Sequence, residues 1–274
     1  LALLEGRLEH VELAHLYQEM GRLAFRSGDN ARAREWAERA ASGGERLYAT
    51  AGGEEARRDA AAAMAQAYNT LGIALARMGR LEEAVGHIER SVSVALAHGL
   101  LHAACRGYTN LGVLYSTSEP ARAIDTCVKG LDTAKKIGDL GLQSSLYANL
   151  AVAYCALTDR CEEQGVSAAR AAVDLDRQLG QVDHLAVPLI VLAQIYQCHG
   201  GDSERALACY REALELAEEM GEPQLLFPCY DGLATLYLDL GDEARAEEYM
   251  QKAQQVCEDA GLEPDSLVVL PFLG

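Results

Sequence analysis

Eight cysteines (Cys105, Cys127, Cys155, Cys161, Cys198, Cys209, Cys229 and Cys257) and seven histidines are the side chains here best suited to metal binding or nucleophilic chemistry. No two cysteines stand as Cys-x-x-Cys, the spacing of many zinc and redox sites. Most sit among apolar residues at helical spacing, so they are expected as buried free thiols in a reducing compartment. His98, His102 and Cys105 come nearest to metal-ligand spacing, but Gly99 is expected to end a helix between the two histidines. Neither a metal nor any other cofactor is expected. The paired carboxylates Glu82-Glu83, Glu162-Glu163 and Asp242-Glu243 fall where helices are expected to start. There they suit the positive helix end better than acid–base catalysis. The sequence has no Gly-rich phosphate loop and no nucleophile elbow. A non-catalytic protein is the expectation.

The elements that must carry these residues repeat along the chain. The stretch "YNTLGIALARMGRLEEAV", residues 68–85, places Gly72 inside a helical pattern, where Gly costs about 1 kcal/mol relative to Ala. The same small residue after an apolar one recurs as Met20-Gly21, Leu71-Gly72, Leu111-Gly112, Leu150-Ala151, Leu192-Ala193 and Leu233-Ala234. The intervals are 51, 40, 39, 42 and 41 residues. Tyr115, Tyr154, Tyr196 and Tyr237 follow three residues after the last four. A second series is Ala33, Ala84, Ala123, Gly165, Ala206 and Ala246, and a third, fifteen residues on, is Gly99, Gly138, Gly180, Gly221 and Gly261. Apolar stripes such as Leu71, Leu75 and Met78, then Ala84, Ile88, Val92 and Ala95, have helical period. Each unit therefore reads as helix–turn–helix ending at a Gly cap. Small residues at 72 and 84 are expected to face each other and let the two helices approach closely.

This pattern resembles the tetratricopeptide repeat. The fifth repeat, "LIVLAQIYQCHGGDSERALACYREALELAEEMG", carries Leu192, Ala193, Tyr196, Ala206, Tyr210 and Ala213 in the register of that family. The sixth carries Leu233, Ala234, Tyr237, Ala246, Met250 and Ala253. The period near 40 is similar to that of kinesin light chains and of bacterial multidomain signalling regulators. The resemblance implies an all-α, right-handed superhelical solenoid of about six hairpins, with first helices lining a concave face. Repeats are expected near 10–50, 54–99, 100–138, 139–180, 181–221 and 222–261, within a solenoid over 1–262. Such faces bind extended peptides or a partner's helix. The groove positions implied are Gln66, Asn69, Arg77, Arg106, Asn110, Ser145, Asn149, Gln194 and Gln197. Asn110 and Asn149 share one repeat position, and an amide there can match a peptide group with both a donor and an acceptor. The Lys/Asn set of a carboxylate clamp is not found. Three departures stand out: an insertion over 43–60 with a Gly-Gly break at 52–53, a short third turn "STSEP", and a long fourth turn "ALTDRCEEQG". Pro188 and Pro228 are expected to kink or delay the first helices of repeats five and six.

The net charge of −17, from 24 basic and 41 acidic residues, opposes nucleic acid and anionic membrane surfaces. No apolar run approaches the ~20 residues of a membrane span, and a cytoplasmic location is expected. The partner expected is a protein or peptide. The apolar tail "DSLVVLPFLG" is expected to cap the last hairpin over 263–274; an alternative is a self-association scaffold, with a possible homo-oligomer. The opening Leu-Ala-Leu-Leu, in mid-pattern, suggests a regulatory piece of a larger signalling protein.

Overall fold

Alternating large and small apolar residues at helical spacing build pairs of helices that share a narrow seam. The computed structural model describes residues 11–26, 28–116, 118–157, 161–180, 182–198 and 201–261. Among these, twelve α-helices and no strand occur. In chain order they are α1 (Val11–Arg26), α2 (Asn30–Thr50), α3 (Glu54–Arg77), α4 (Leu81–Ala97), α5 (Leu101–Ser116) and α6 (Pro120–Ile137). Then follow α7 (Leu140–Ala156), α8 (Val166–Leu179), α9 (Val182–Cys198), α10 (Ser203–Met220), α11 (Pro223–Asp239) and α12 (Glu243–Ala260). One π-type turn, Cys161–Gly165, leads into α8. The tail over 263–274 and its expected capping role lie outside the described residues.

The chain divides into two compact units, residues 1–114 and 115–274, with the boundary inside α5. In the first unit α1 packs on α2, α2 on α3, α3 on α4, and α1 also touches α3. In the second the same order holds from α6 to α12, and the first helices α7, α9 and α11 touch in succession.

Local sequence explains where each helix starts and stops. Asp29, Asp139, Asp202 and Asp242 cap α2, α7, α10 and α12, their carboxylates accepting from the backbone N–H of Arg32, Leu142, Arg205 and Arg245. Gly138, Gly180, Gly221 and Gly261 end their helices in the left-handed region, which costs a Cβ-bearing residue about 1 kcal/mol or more. The Gly-Gly break separates a 21-residue α2 from a 24-residue α3. Pro188 and Pro228, however, do not delay α9 and α11: both lie inside helices that begin at residues 182 and 223. In α11 it is Pro223 that occupies the first turn, where a missing N–H costs nothing.

The seams are as close as the small residues allow. A Cβ on Gly72 would lie 3.0 Å from the Ala84 carbonyl oxygen and would run into the Ile88 side chain. Ala33, Ala84, Ala123, Ala206 and Ala246 are all fully buried. In the first unit Leu13, Tyr17, Ala40, Ala41, Met64, Ala67 and Tyr68 form a cluster with Trp36 against it. The Trp36 ring stacks on Tyr17 at 5.5 Å and carries the Arg39 guanidinium 4.9 Å from its centroid. The expectation of buried free thiols holds for Cys105, Cys127 and Cys229, whereas Cys209 and Cys257 are half-buried and Cys198 is exposed. Cys155 and Cys161 are instead joined by a disulfide, and the π-type turn that begins at Cys161 packs against α7.

Candidate ligand pocket

In the second unit, three first helices converge on one open pocket of about 340 Å³, within the usual size range of ligand sites. Val152 and Cys155 come from α7, and Val191, Gln194, Ile195, Gln197 and Cys198 from α9. Asp231, Gly232 and Thr235 come from α11, while Tyr210 reaches in from α10. Each helix contributes residues three or four apart, the spacing of a single helix face. The walls are apolar at Val152, Val191 and Ile195, and the polar groups gather on α9 and α11.

Gly232 is what lets Tyr210 arrive. A Cβ at 232 would collide with the Tyr210 phenol, from its ring carbons to its hydroxyl. The Tyr210 hydroxyl donates to Gln197 Oε1 at 3.2 Å, and Gln197 Nε2 donates to Asp239 Oδ2 at 2.8 Å. Gln197 is thereby held on both sides of its amide, whereas Gln194 is exposed. Burial pushes the Tyr210 phenol well above its usual range, reinforced by the nearby Cys198, Cys229, Asp231 and Asp239. Desolvation by the surrounding helices also raises the Asp231 carboxyl at the rim. The arrangement can therefore offer an amide, a carboxylate and apolar walls to a ligand side chain.

The residues implied by the sequence are distributed between the two units. Gln194 and Gln197 line the pocket. Asn149 is buried in α7, and Ser145 is half-buried with its hydroxyl donating to Gly141 O at 3.3 Å. In the first unit Asn110 is fully buried and its Nδ2 donates to Asn69 Oδ1 at 3.0 Å, an amide pair between α5 and α3. Arg77 donates to Phe25 O at 3.0 Å and lies 3.5 Å from the Phe25 ring centroid. Burial lowers its pKa to about 10. Gln66 and Arg106 are half-buried. Sequence reasoning missed Asp231, Thr235, Tyr210 and the sulfur pair at Cys155. The signal for Asp231-Gly232 was available, since Gly232 stands at the position of Asn110 and Asn149.

Models of the tetratricopeptide repeat match residues 64–97, 189–224 and 227–259. The chain carries tetratricopeptide repeats. The matched segments fall on the α3–α4, α9–α10 and α11–α12 hairpins. No curated protein sequence matches the chain significantly. Among solved structures, BtubC (BKLC) from P. vanneervenii is similar at 18% identity and TM-score 0.65, over 85% of this chain and 92% of that one. The apo form of RapI is similar at 11% identity and TM-score 0.73, over 95% and 90%. A Rap conjugation gene regulator of a plasmid, in complex with the Phr* peptide, is similar at 14% identity and TM-score 0.62, over 94% and 76%. At these identities the likeness concerns the fold: hairpin repeats stacked one on the next. Among the described residues no helix is long and apolar enough to cross a membrane. No group of three or more His, Cys, Asp or Glu there could hold a metal ion.

Proposed function

We propose that the chain is a non-catalytic interaction module whose second unit binds a peptide or protein segment across α7, α9 and α11. The observation that carries this reading is the convergence of three successive first helices on one open pocket of about 340 Å³. An extended segment laid across those helices would place one side chain in the pocket. Gln194 would meet its backbone with donor and acceptor, and Asp231 would favour a positively charged or hydrogen-bond-donating group. Gln197, fixed by Tyr210 and Asp239, would present a preset amide edge. The similar Rap regulator in complex with the Phr* peptide supports a peptide as the ligand. On this reading the array is a regulatory part of a signalling protein.

Selection of a displayed random peptide library on the purified chain tests this. Peptides enriched on the natural chain are expected to lose at least tenfold in affinity on Gln194→Ala/Asp231→Asn, with unchanged far-ultraviolet circular dichroism. No enrichment, or equal affinity for both proteins, would sink the assignment.

A further inference from the structure

Two sulfur-bearing residues line the pocket, Cys155 from α7 and Cys198 from α9. Cys155 is disulfide-bonded to Cys161, six positions on. Cys161 is fully buried, Cys155 half-buried and Cys198 exposed. The contrast with the other cysteines is chemical. Burial pushes the Cys127 and Cys229 thiols up to about 12 and the Cys209 thiol up to about 11. Those three thiols hold their protons more tightly, and none of them lines the pocket as Cys155 does.

The fourth repeat is altered to receive the bond. Position 165 holds Gly where the other five repeats hold Ala33, Ala84, Ala123, Ala206 and Ala246. A Cβ on Gly165 would stand 2.9 Å from Cys155 Sγ and 3.6 Å from Cys161 Sγ. An alanine, the usual residue at this place, would press on the bonded sulfur. The missing methyl, the π-type turn and the two cysteines occur together in this one hairpin.

We propose that Cys155 and Cys161 form a reversible thiol–disulfide site, reached through the pocket, that exchanges with low-molecular-weight disulfides and thiols of the glutathione class. In oxidation the Cys155 thiolate attacks one sulfur of the small disulfide. That S–S bond breaks, one small thiolate leaves, and a mixed disulfide forms on Cys155. Cys161 passes its proton to the small thiolate that has just left, attacks Cys155 Sγ and expels the second small thiolate. The two small thiolates take up the two protons lost by the cysteines, and two electrons pass from the protein to the small disulfide. Reduction runs the same steps backward with two small thiols. The bond ties the end of α7 to the start of the next helix, so the α7 wall of the pocket is tethered in one state and released in the other. In a reducing compartment a bond of this kind senses redox state. This inference needs only an open pocket and does not depend on a peptide ligand.

The test is equilibration of the intact chain in glutathione buffers of graded composition, approached from both the reduced and the oxidised side. Native alkylation with N-ethylmaleimide and peptide mass spectrometry then read each cysteine. Cys155 and Cys161 are expected to convert together and reversibly, while Cys198 is alkylated at both extremes. Gly165→Ala, which restores the usual alanine, should need several-fold more oxidised glutathione for half conversion. Cys161→Ala should stop at a glutathione adduct on Cys155. The proposal is overturned if the pair stays reduced in every buffer, or if Cys155 bonds to Cys198 instead. It also fails if Gly165→Ala converts at the same ratio as the natural chain, or if Cys161→Ala gives no adduct.

Discussion

Gly72 and Asp176 show how one atom at a helix seam shifts the balance of forces. Gly72→Ala gains about 1 kcal/mol of helix propensity. It also places a methyl 3.0 Å from the Ala84 carbonyl and into Ile88, and such overpacking costs about 1–3 kcal/mol. The backbone carbonyl cannot swing aside, so crowding wins, and a net loss of about 1 kcal/mol is expected in chemical denaturation. Asp176 poses the opposite problem. It is 1% exposed on α8, at a place where α4, α6 and α10 carry Ala95, Ala134 and Ala217. Neither carboxylate oxygen has a hydrogen-bond partner among the described residues. The neighbouring Ser144 hydroxyl donates to Ala172 O at 3.2 Å instead. Burial raises the Asp176 pKa, opposed by Ser144 and by the charge of His184. A carboxyl with a raised folded-state pKa binds its proton more tightly folded than unfolded. Its contribution to stability is therefore full below the unfolded value and is lost as pH rises through the folded one. Asp176→Asn should raise the denaturation midpoint at pH 7, and the gain should shrink as pH falls towards 4.

At the scale of the element, stability is set at the helix ends. Asp202 caps α10 by accepting from the Arg205 N–H at 3.1 Å, and its exposed ion pair with the Arg205 side chain adds little. Asp202→Ala should cost about 1 kcal/mol, seen in denaturation and in faster amide hydrogen exchange over the first turn of α10. The Gly caps that close the hairpins were legible because they recur in phase with the repeat, whereas the Asp caps at helix starts were not read from the sequence. The Gly72–Ala84 seam was legible for a related reason, since its two small residues recur in phase. That Pro188 and Pro228 do not delay their helices was not legible, because position in the chain does not reveal whether the preceding turn is already helical. The Cys155–Cys161 bond was hidden because a spacing of six points the two side chains apart on an ideal helix, whereas α7 ends at Ala156, before Cys161. Asp231 and Thr235 escaped notice because a pocket depends on which face three separate helices turn toward one another. The amides of Asn69 and Asn110 carry the same donor and acceptor whether they meet a ligand or each other, and composition cannot separate the two.

Within each of the two units the hairpins pack on their sequence neighbours, so perturbations should stay local. Gly72→Ala is expected to speed hydrogen exchange across α3 and α4 while leaving α9 to α12 at their original rates. Uniform acceleration in both units would instead mark a single cooperative block. The charge of −17 adds a term that every hairpin feels, since like charges oppose compaction and salt screens them. The denaturation midpoint should therefore rise between about 0.02 and 0.2 M sodium chloride, where the Debye length falls from about 20 Å to below 10 Å. Trp36, stacked on Tyr17 beneath Arg39, is the single tryptophan of the chain. Its emission is therefore a built-in beacon for the α1–α2 hairpin alone, silent about the pocket at the other end of the sequence. A melt followed by tryptophan fluorescence and by circular dichroism compares one hairpin with twelve helices. The gap between the two curves reads, without any label, how independently the repeats come apart.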